Sequence, residues 1–264
     1  MKAGIIGGNG FVGSGILKAL QTVGMDCSVI EKDNFESFRG TSFDLLVNAN
    51  GNSKKYLAQQ SPIEDFQMSV ATVQQSLADY RSQLYVYCST VDVYTDHQHP
   101  GANGEETVIE PPLLSLYGFH KFLAEQIVRR YAPSWLVFRF GGFVGEGLKK
   151  NSIYDMLHNV PLRVHLDSEY QYLSTYTAGT IIARLVERGI RNTTINVCGD
   201  ECISLQEISG WIPGYKPTYA VDQPVREHYE VSIRKLKNYT TVPKTRDTVF
   251  EFVKSFRDPY PATP

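Results

Sequence analysis

Cysteine is scarce in this chain, with four in 264 residues, at positions 27, 88, 198 and 202. They are too few and too scattered for a disulfide framework, which a chain of this length does not need. Only Cys198 and Cys202 are close together, and no second pair stands at ligand spacing, so CGDEC reads as a strand end and turn and no metal site is expected. Excess charge is also missing. Twenty-six Lys and Arg against 28 Asp and Glu leave a formal charge of −2, which excludes a broad positive field for nucleic acid or an anionic membrane. No run approaches the ~18 consecutive apolar residues of a spanning helix. The opening MKAGIIGGNGFVG lacks a cationic region followed by a long apolar stretch and a small-residue cleavage site, so secretion is not expected and a reducing, cytoplasmic setting is. There is no internal repeat and no low-complexity linker.

What is present is enough to bury a full core: 42% apolar and 20% charged residues, in a length that suits one large domain or a domain with a small annex. Short aliphatic or β-branched runs alternate with helical patterns, the mark of a parallel sheet covered on both faces. The pattern predicts strands at 2–6, 27–31, 44–49, 84–88, 135–140 and 194–198. Helices are predicted over 11–22, 61–81, 114–131, 177–188 and 246–256, with a further helix near Ile153 and strands near Arg163 and Tyr172. Ser61 and Pro62 read as N-cap and first helical position, with Glu64 and Asp65 in the first turn. Between Glu31 and Asp44 the chain is too short for a full strand and helix. The segment 94–112, rich in Gly, His and Pro, reads as a mobile lid, since His97 and His99 have no acidic or cysteine ligand at useful spacing.

GGNGFVG lies between the first strand and the first helix, the context that gives a glycine motif weight. Gly7, Gly10 and Gly13 supply a tight turn, a close backbone approach for a pyrophosphate and a close helix–strand contact. N–H groups at the helix start then face the anion, so Gly7, Gly10, Phe11, Val12 and Gly13 are expected to hold a dinucleotide. Glu31 ends the second strand 24 residues after Gly7, close to the ~20-residue interval of a ribose-binding carboxylate. That favours NAD, while Lys32 beside it leaves NADP open.

In SLYGFHK, Tyr117 and Lys121 are four apart and share a helix face. An ammonium beside the phenol is expected to favour phenolate, letting Tyr117 exchange a proton with a substrate oxygen while hydride moves to or from nicotinamide. In YCSTVDVY, Ser89 and Thr90 follow a strand, at the end where sheet ligands bind.

GGNGFVG, STVDVY, PPLLSLYGFHK and FRFGGFVGEG, in this order and spacing, resemble the extended short-chain dehydrogenase/reductase family, in its NAD-dependent epimerase/dehydratase branch that acts on nucleotide sugars. The resemblance covers nearly the whole chain. It implies a Rossmann-type doubly wound parallel α/β sheet (1–145 and 171–198) with a small substrate cap (146–170 and 199–264). It implies Tyr117 as acid/base, Lys121 as partner to the tyrosine and the nicotinamide ribose, and Thr90 as the substrate-orienting hydroxyl. Ala49, Asn50 and Gly51 would run along the cofactor's middle, with Ser89 beside the cofactor and Phe140 bordering the nicotinamide. Asn151 and Ser152 open the helix that faces substrate phosphate in the family, Gly142 stands where the family has a substrate-touching Asn, and Arg163 and His165 are further substrate candidates.

The chain also departs from the pattern. Val91 stands where dehydratases carry an acid, and Asp92, one place late, points to the other face if the strand end is extended; dehydration is therefore disfavoured. Tyr176 and Thr177 replace an Asp-Asp pair, and Ser69 replaces an Asn. Three readings stay open: a C4 epimerase of a nucleotide sugar, a ketoreductase of a nucleotide-linked 4-keto-deoxysugar, and a non-catalytic dinucleotide sensor. A homodimer through helices 63–81 and 114–131 is implied by resemblance.

Overall fold

In the computed structural model, which describes residues 1–52 and 55–257, the aliphatic runs become strands because each can be buried on both sides. The first half comprises β1 (Lys2–Ile6), α1 (Phe11–Thr22), β2 (Asp26–Ile30), β3 (Ser42–Asn48), α2 (Lys55–Gln60), α3 (Pro62–Phe66), α4 (Thr72–Asp79), β4 (Arg81–Thr90), α5 (Leu116–Tyr131) and β5 (Trp135–Phe140). After these come β6 (Gly142–Val144), α6 (Ser152–Leu157), β7 (Glu169–Tyr170), β8 (Tyr172–Ser174), α7 (Thr175–Glu187) and β9 (Thr193–Val197). The described chain ends with β10 (Ile203–Ser204), α8 (Leu205–Ser209), β11 (His228–Tyr229), α9 (Arg234–Lys237) and α10 (Thr245–Arg257).

Six parallel strands form the main sheet in the order β2-β1-β3-β4-β5-β9. Alternation along each strand divides its residues between two cores. Leu45, Val47, Leu84, Val86, Leu136 and Phe138 pack toward α1 and α7; Leu46, Tyr85, Tyr87 and Val137 pack on the other face, with Val73 of α4 and Ala124 and Val128 of α5. The short stretch after β2 yields only a 3-10 turn at Phe35–Phe38, so β2 is an edge strand. No described helix is long and apolar enough to cross a membrane.

A third core, with Val144, Ile153, Met156, Leu166, Ile208 and Val249 among its members, forms the cap, beside a small sheet in the order β10-β7-β11. The chain after β11 divides between the cores: Val231, Ile233, Leu236 and Val242 join the main-sheet core, and α10 returns to the cap. The expected cap residues 258–264 lie outside the described residues.

Two expected elements differ. The helix expected over 61–81 runs without interruption from Pro62 to Asp79 but widens into a π turn at Gln67–Ala71 between α3 and α4, with α2 ahead of it. Asp65 and Ser69, at and beside that turn, are buried and hydrogen-bonded, and such turns concentrate at functional sites. Near Arg163 there is no strand, only single bridges from Leu162 to Tyr219 and from Val164 to Val225.

α5 meets the sheet through a buried ion pair. Arg139 of β5 is 1% exposed and Glu125 of α5 is 0% exposed, joined at 3.0 Å from Nε to Oε1 and 2.8 Å from Nη2 to Oε2. Ser89 donates to the same carboxylate at 2.6 Å. Arg139 Nη1 donates to Tyr94 at 2.9 Å, whose hydroxyl donates to Asn196 of β9 at 2.8 Å. Removing Arg139 leaves the buried Glu125 carboxylate with only the half-buried Arg129 at 3.3 Å, and breaking a buried pair in this way costs ~3–5 kcal/mol. Arg139→Met should therefore lower unfolding free energy in urea by about that amount, and the double variant Arg139→Met/Glu125→Leu should recover most of it. A single variant within ~1 kcal/mol of wild type would show that the pair is idle.

Candidate active site

The glycine turn is built for close approach. Gly7 has φ +76°, its N–H donates to Ile30 of β2 at 2.9 Å, and Gly10 N–H returns to Gly7 O at 3.0 Å. A side chain at Gly13 would stand 2.0 Å from Gly7 O, so no larger residue fits there. α1 starts at Gly10 with no side-chain cap, leaving the N–H groups of its first turn to a ligand. Glu31 lies beside this turn and accepts from Asn9 N–H at 2.7 Å; Lys32 next to it is exposed.

From the start of α1 a cavity of about 670 Å³ runs between the C-terminal ends of the strands and the cap, where ligands bind in doubly wound sheets; Gly7, Gly10, Gly13, Glu31 and Lys32 lie outside its lining. Phe11, Val12, Ala49, Asn50, Gly51 and Ser89 line one part of it. Thr90, Tyr117, Lys121, Phe140, Gly142, Asn151 and Ser152 line the rest. Asn151 also caps α6, its Oδ1 accepting from Tyr154 N–H at 2.9 Å and its amide donating to Phe143 O at 3.0 Å. Arg163 is exposed and lies outside the lining, which takes its neighbour Val164 instead. His165 also lies outside it and packs against Tyr219.

Lys121 and Tyr117 share the cavity but are not partners in the way their spacing suggests. Lys121 is 5% exposed; its Nζ donates to Cys88 O at 2.6 Å and lies 4.5 Å from the centre of the Tyr87 ring. Burial pushes it down to about 8. The expectation of a phenol acidified by Lys121 is corrected. Burial, then the charge of Asp92, pushes Tyr117 above the usual tyrosine range, while the charge of Lys55 pulls it back.

Asp92 is the second correction. Val91–Val93 closes into a 3-10 turn instead of continuing the strand. This swings the Asp92 carboxylate into the site, where it accepts from Thr90 Oγ1 at 3.0 Å and from Lys55 Nζ at 2.6 Å. Against the cost of burial, Asp92 holds Lys55 charged above the usual lysine range. The geometric objection to Asp92 as a site acid therefore falls. Ser89 differs as well: it borders the cavity, but its hydroxyl is committed to Glu125.

Other cavity residues carried no sequence signal. Lys55 and Tyr229 meet across the cavity, with Nζ 5.0 Å from the ring centre, and Tyr170 donates to Glu227 at 2.7 Å. Behind Lys121, His120 and Asp65 pair at 2.5 Å and Asn52 donates to the same Asp65 at 2.7 Å. The loop expected to be a lid is tied down at its middle. Asn103 is fully buried and bonded to Glu230 O and Ser232 N–H.

A cavity at the C-terminal ends of the strands that joins the start of α1 to a Tyr-Lys pair narrows the field, and comparison with known proteins closes it. Residues 3–177 match the NAD dependent epimerase/dehydratase family. The chain belongs to that family.

Its fold is that of nucleotide-sugar enzymes. A crystal structure of a UDP-galactose 4-epimerase aligns with TM-score 0.80 and 18% identity over 98% of this chain and 100% of that one. MoeE5 in complex with UDP-glucose and NAD gives TM-score 0.84 and 15% identity over 99% and 100%. A dTDP-glucose 4,6-dehydratase from Bacillus anthracis str. Ames, in complex with NAD, gives 0.78 and 18% over 98% and 97%. No curated protein matches by sequence. As the family is one of NAD-dependent enzymes, the reading as a non-catalytic sensor is set aside.

The residues present fit NAD. The uncapped start of α1 and the bare Gly7–Gly13 contact suit a pyrophosphate, and Glu31 lies beside the same turn, accepting from Asn9 N–H. Gly51 leaves open space 3.7 Å from Lys121 Nζ.

A buried lysine at pH 7 costs the fold free energy. A shift from 10.5 to about 8 corresponds to about 3 kcal/mol, against ~1 kcal/mol for the lost bond to Cys88 O in Lys121→Met. Because the folded-state value lies below the unfolded one, the cost is fully present below pH 8 and fades as pH rises toward 10.5. Lys121→Met should thus melt several degrees higher than wild type at pH 7 and lose that advantage above pH 10; a lower melting temperature at pH 7 would refute the assignment.

Proposed function

We propose that the protein is an epimerase-type oxidoreductase that moves hydride at a sugar carbon, C4, of a nucleotide-linked sugar, with Tyr117 as acid/base. One observation carries the reading: Thr90, Tyr117 and Lys121 line the same cavity as Phe11 and Val12 at the start of α1. NAD, when bound, supplies the hydride acceptor and donor. Gly7, Gly10, Phe11, Val12, Gly13 and Glu31 would hold its adenosine and pyrophosphate, and Ala49, Asn50, Gly51, Lys121 and Phe140 the remainder.

Tyr117 takes the proton of the sugar hydroxyl and returns it, while Thr90 orients that oxygen. Phe140 and Tyr229 limit water. At the cap end, Gly142, Asn151 and Ser152 face the space left for the nucleotide diphosphate, and Arg163 stands too far out to share in it. The departures at Gly142, Tyr176 and Thr177 belong to the substrate end and leave the sugar open.

A second reading rests on the phenol itself. Burial and Asp92 hold the Tyr117 proton tightly, which favours donation to a carbonyl and hence a ketoreductase of a nucleotide-linked 4-keto-deoxysugar. We also propose a homodimer, supported by apolar exposure on the helices concerned: Ile63 is 77% and Tyr131 58% exposed. A cytoplasmic setting is part of the proposal.

A panel of nucleotide sugars and their 4-keto derivatives, followed by reduced-cofactor absorbance and product NMR, tests the reading. Inversion at C4 without net redox supports the epimerase. Net consumption of reduced cofactor supports the ketoreductase, and loss of water would overturn both in favour of a dehydratase. Tyr117→Phe should lower kcat by ~10²–10⁴-fold on whichever substrate turns over; unchanged turnover would remove Tyr117 from the chemistry.

The charges around the phenol predict the pH dependence. In the oxidative direction, which needs phenolate, the rate rises with pH through the Tyr117 value. Asp92→Asn should move that limb to lower pH and Lys55→Met to higher pH, measured as kcat/KM profiles. Superimposable profiles would contradict the assignment.

A further inference from the structure

On the outer face of the small cap sheet, one side-chain atom each from Cys202, His228 and Glu230 lies within 4.8 Å of the others. The fold assembles them from distant segments. Cys202 enters β10, which pairs antiparallel with β7 through Ile203 and Tyr170; β11 pairs parallel with β7, setting His228 opposite Glu169. His228 and Glu230 are two apart along an extended segment and share a face, while Glu227, Tyr229 and Val231 between and beside them line the active-site cavity.

The geometry points to a divalent metal site, and we propose that Cys202, His228 and Glu230 bind Zn²⁺ there, with Glu169 orienting the imidazole. His228 Nε2 and Glu230 Oε2 are 3.2 Å apart. Two ligands at ~2.0 Å from a tetrahedral zinc are separated by about 3.3 Å, so this edge of the polyhedron is already in place. Nδ1 of the same ring faces Glu169 Oε2 at 2.8 Å, the carboxylate–histidine arrangement that fixes the tautomer and turns Nε2 toward a metal. Cys202 completes the set by a side-chain rotation, since its Sγ is held only by a weak contact with Tyr229 O at 3.4 Å.

The donor set selects the ion. One thiolate, one imidazole and one carboxylate suit zinc and exclude magnesium and calcium, which take oxygen ligands. Glu169 brings a second carboxylate to the trio, its charge partly offset by Arg226 at 3.7 Å. A fourth position remains for water, as the three residues are only half-buried.

The proposed role is structural. Glu230 also donates its N–H to His97 O at 2.7 Å and accepts at its carbonyl from Asn103, and its neighbour Tyr229 stacks on His97 at 4.4 Å. A zinc ion would cross-link β10 to β11 directly behind the cavity wall and fix Tyr229 and Glu227 in place.

The test uses the full chain, reduced and stripped with EDTA, titrated with Zn²⁺ in the presence of a competing chromophoric chelator. One Zn²⁺ per chain is expected, with a rise in melting temperature. Cys202→Ser and His228→Gln should each weaken binding ~100-fold or more, Glu169→Gln ~10–100-fold, and Cys27→Ser, at the distant edge strand, not at all. Co²⁺ in place of Zn²⁺ should give a thiolate-to-cobalt charge-transfer band that Cys202→Ser abolishes. Circular dichroism checks that each variant folds, and if Cys202→Ser does not, His228→Gln and the cobalt band of the wild type decide. Failure of the wild type to outcompete the chelator, a cobalt spectrum without the thiolate band, or His228→Gln binding as tightly as wild type would each overturn the site.

Discussion

The buried pair between Glu125 and Arg139 sets the position of everything that follows it. Tyr117, Lys121, Glu125 and Arg129 recur every four residues on α5, so the helix turns a polar stripe toward the sheet. Apolar packing alone would leave the rotation of such a helix poorly defined. A two-pronged ion pair with Ser89 on the same carboxylate admits one rotation. That rotation points Lys121 at Cys88 O and brings Tyr117 to Thr90. The pair is costly to desolvate and contributes little net stability compared with an apolar substitute; its contribution is orientation. Through Tyr94 and Asn196 it also reaches the long loop and β9, so the site and the last strand of the sheet are held by one network.

The electrostatics of the site follow from burial more than from the Tyr-Lys spacing. Lys121 is buried and Tyr117 half-buried at the cavity wall, and the loss of solvation pushes the lysine down and the phenol up. The charge that acts on the phenol comes from Lys55 and Asp92, which approach from the cavity side and neutralise each other at 2.6 Å. In the free chain Tyr117 is thus a well-held acid. Its ease of deprotonation rests on which of these two charges faces it once the cavity is filled.

Much of this was legible in the residues, for identifiable reasons. A buried parallel strand needs an apolar run and a phosphate turn needs glycine, so β1, α1, the Gly7–Gly13 contact and the positions of the later strands are readable from local pattern. The placement of Tyr117, Lys121, Thr90 and Phe140 around one cavity follows from strand ends and helix period. What escaped depends on contacts between distant segments. An extended strand end would point Asp92 to the other face, and a single 3-10 turn defeats that expectation. Lys55, Tyr229 and Glu227 belong to segments with no periodic signal. Asp65 is acidic in a first turn and read as a dipole partner, yet it turns inward to His120. Cys202 reads as a turn residue until the cap sheet brings His228 to it.

The central claim is that the glycine turn and the cavity it opens into hold NAD, with Glu31 at its adenosine end. Calorimetric titration of NAD into the chain, repeated with Glu31→Ala, tests it most directly. The account predicts one NAD per chain and a clear weakening in the variant; no binding to the wild type, or equal affinity in the two proteins, would contradict it.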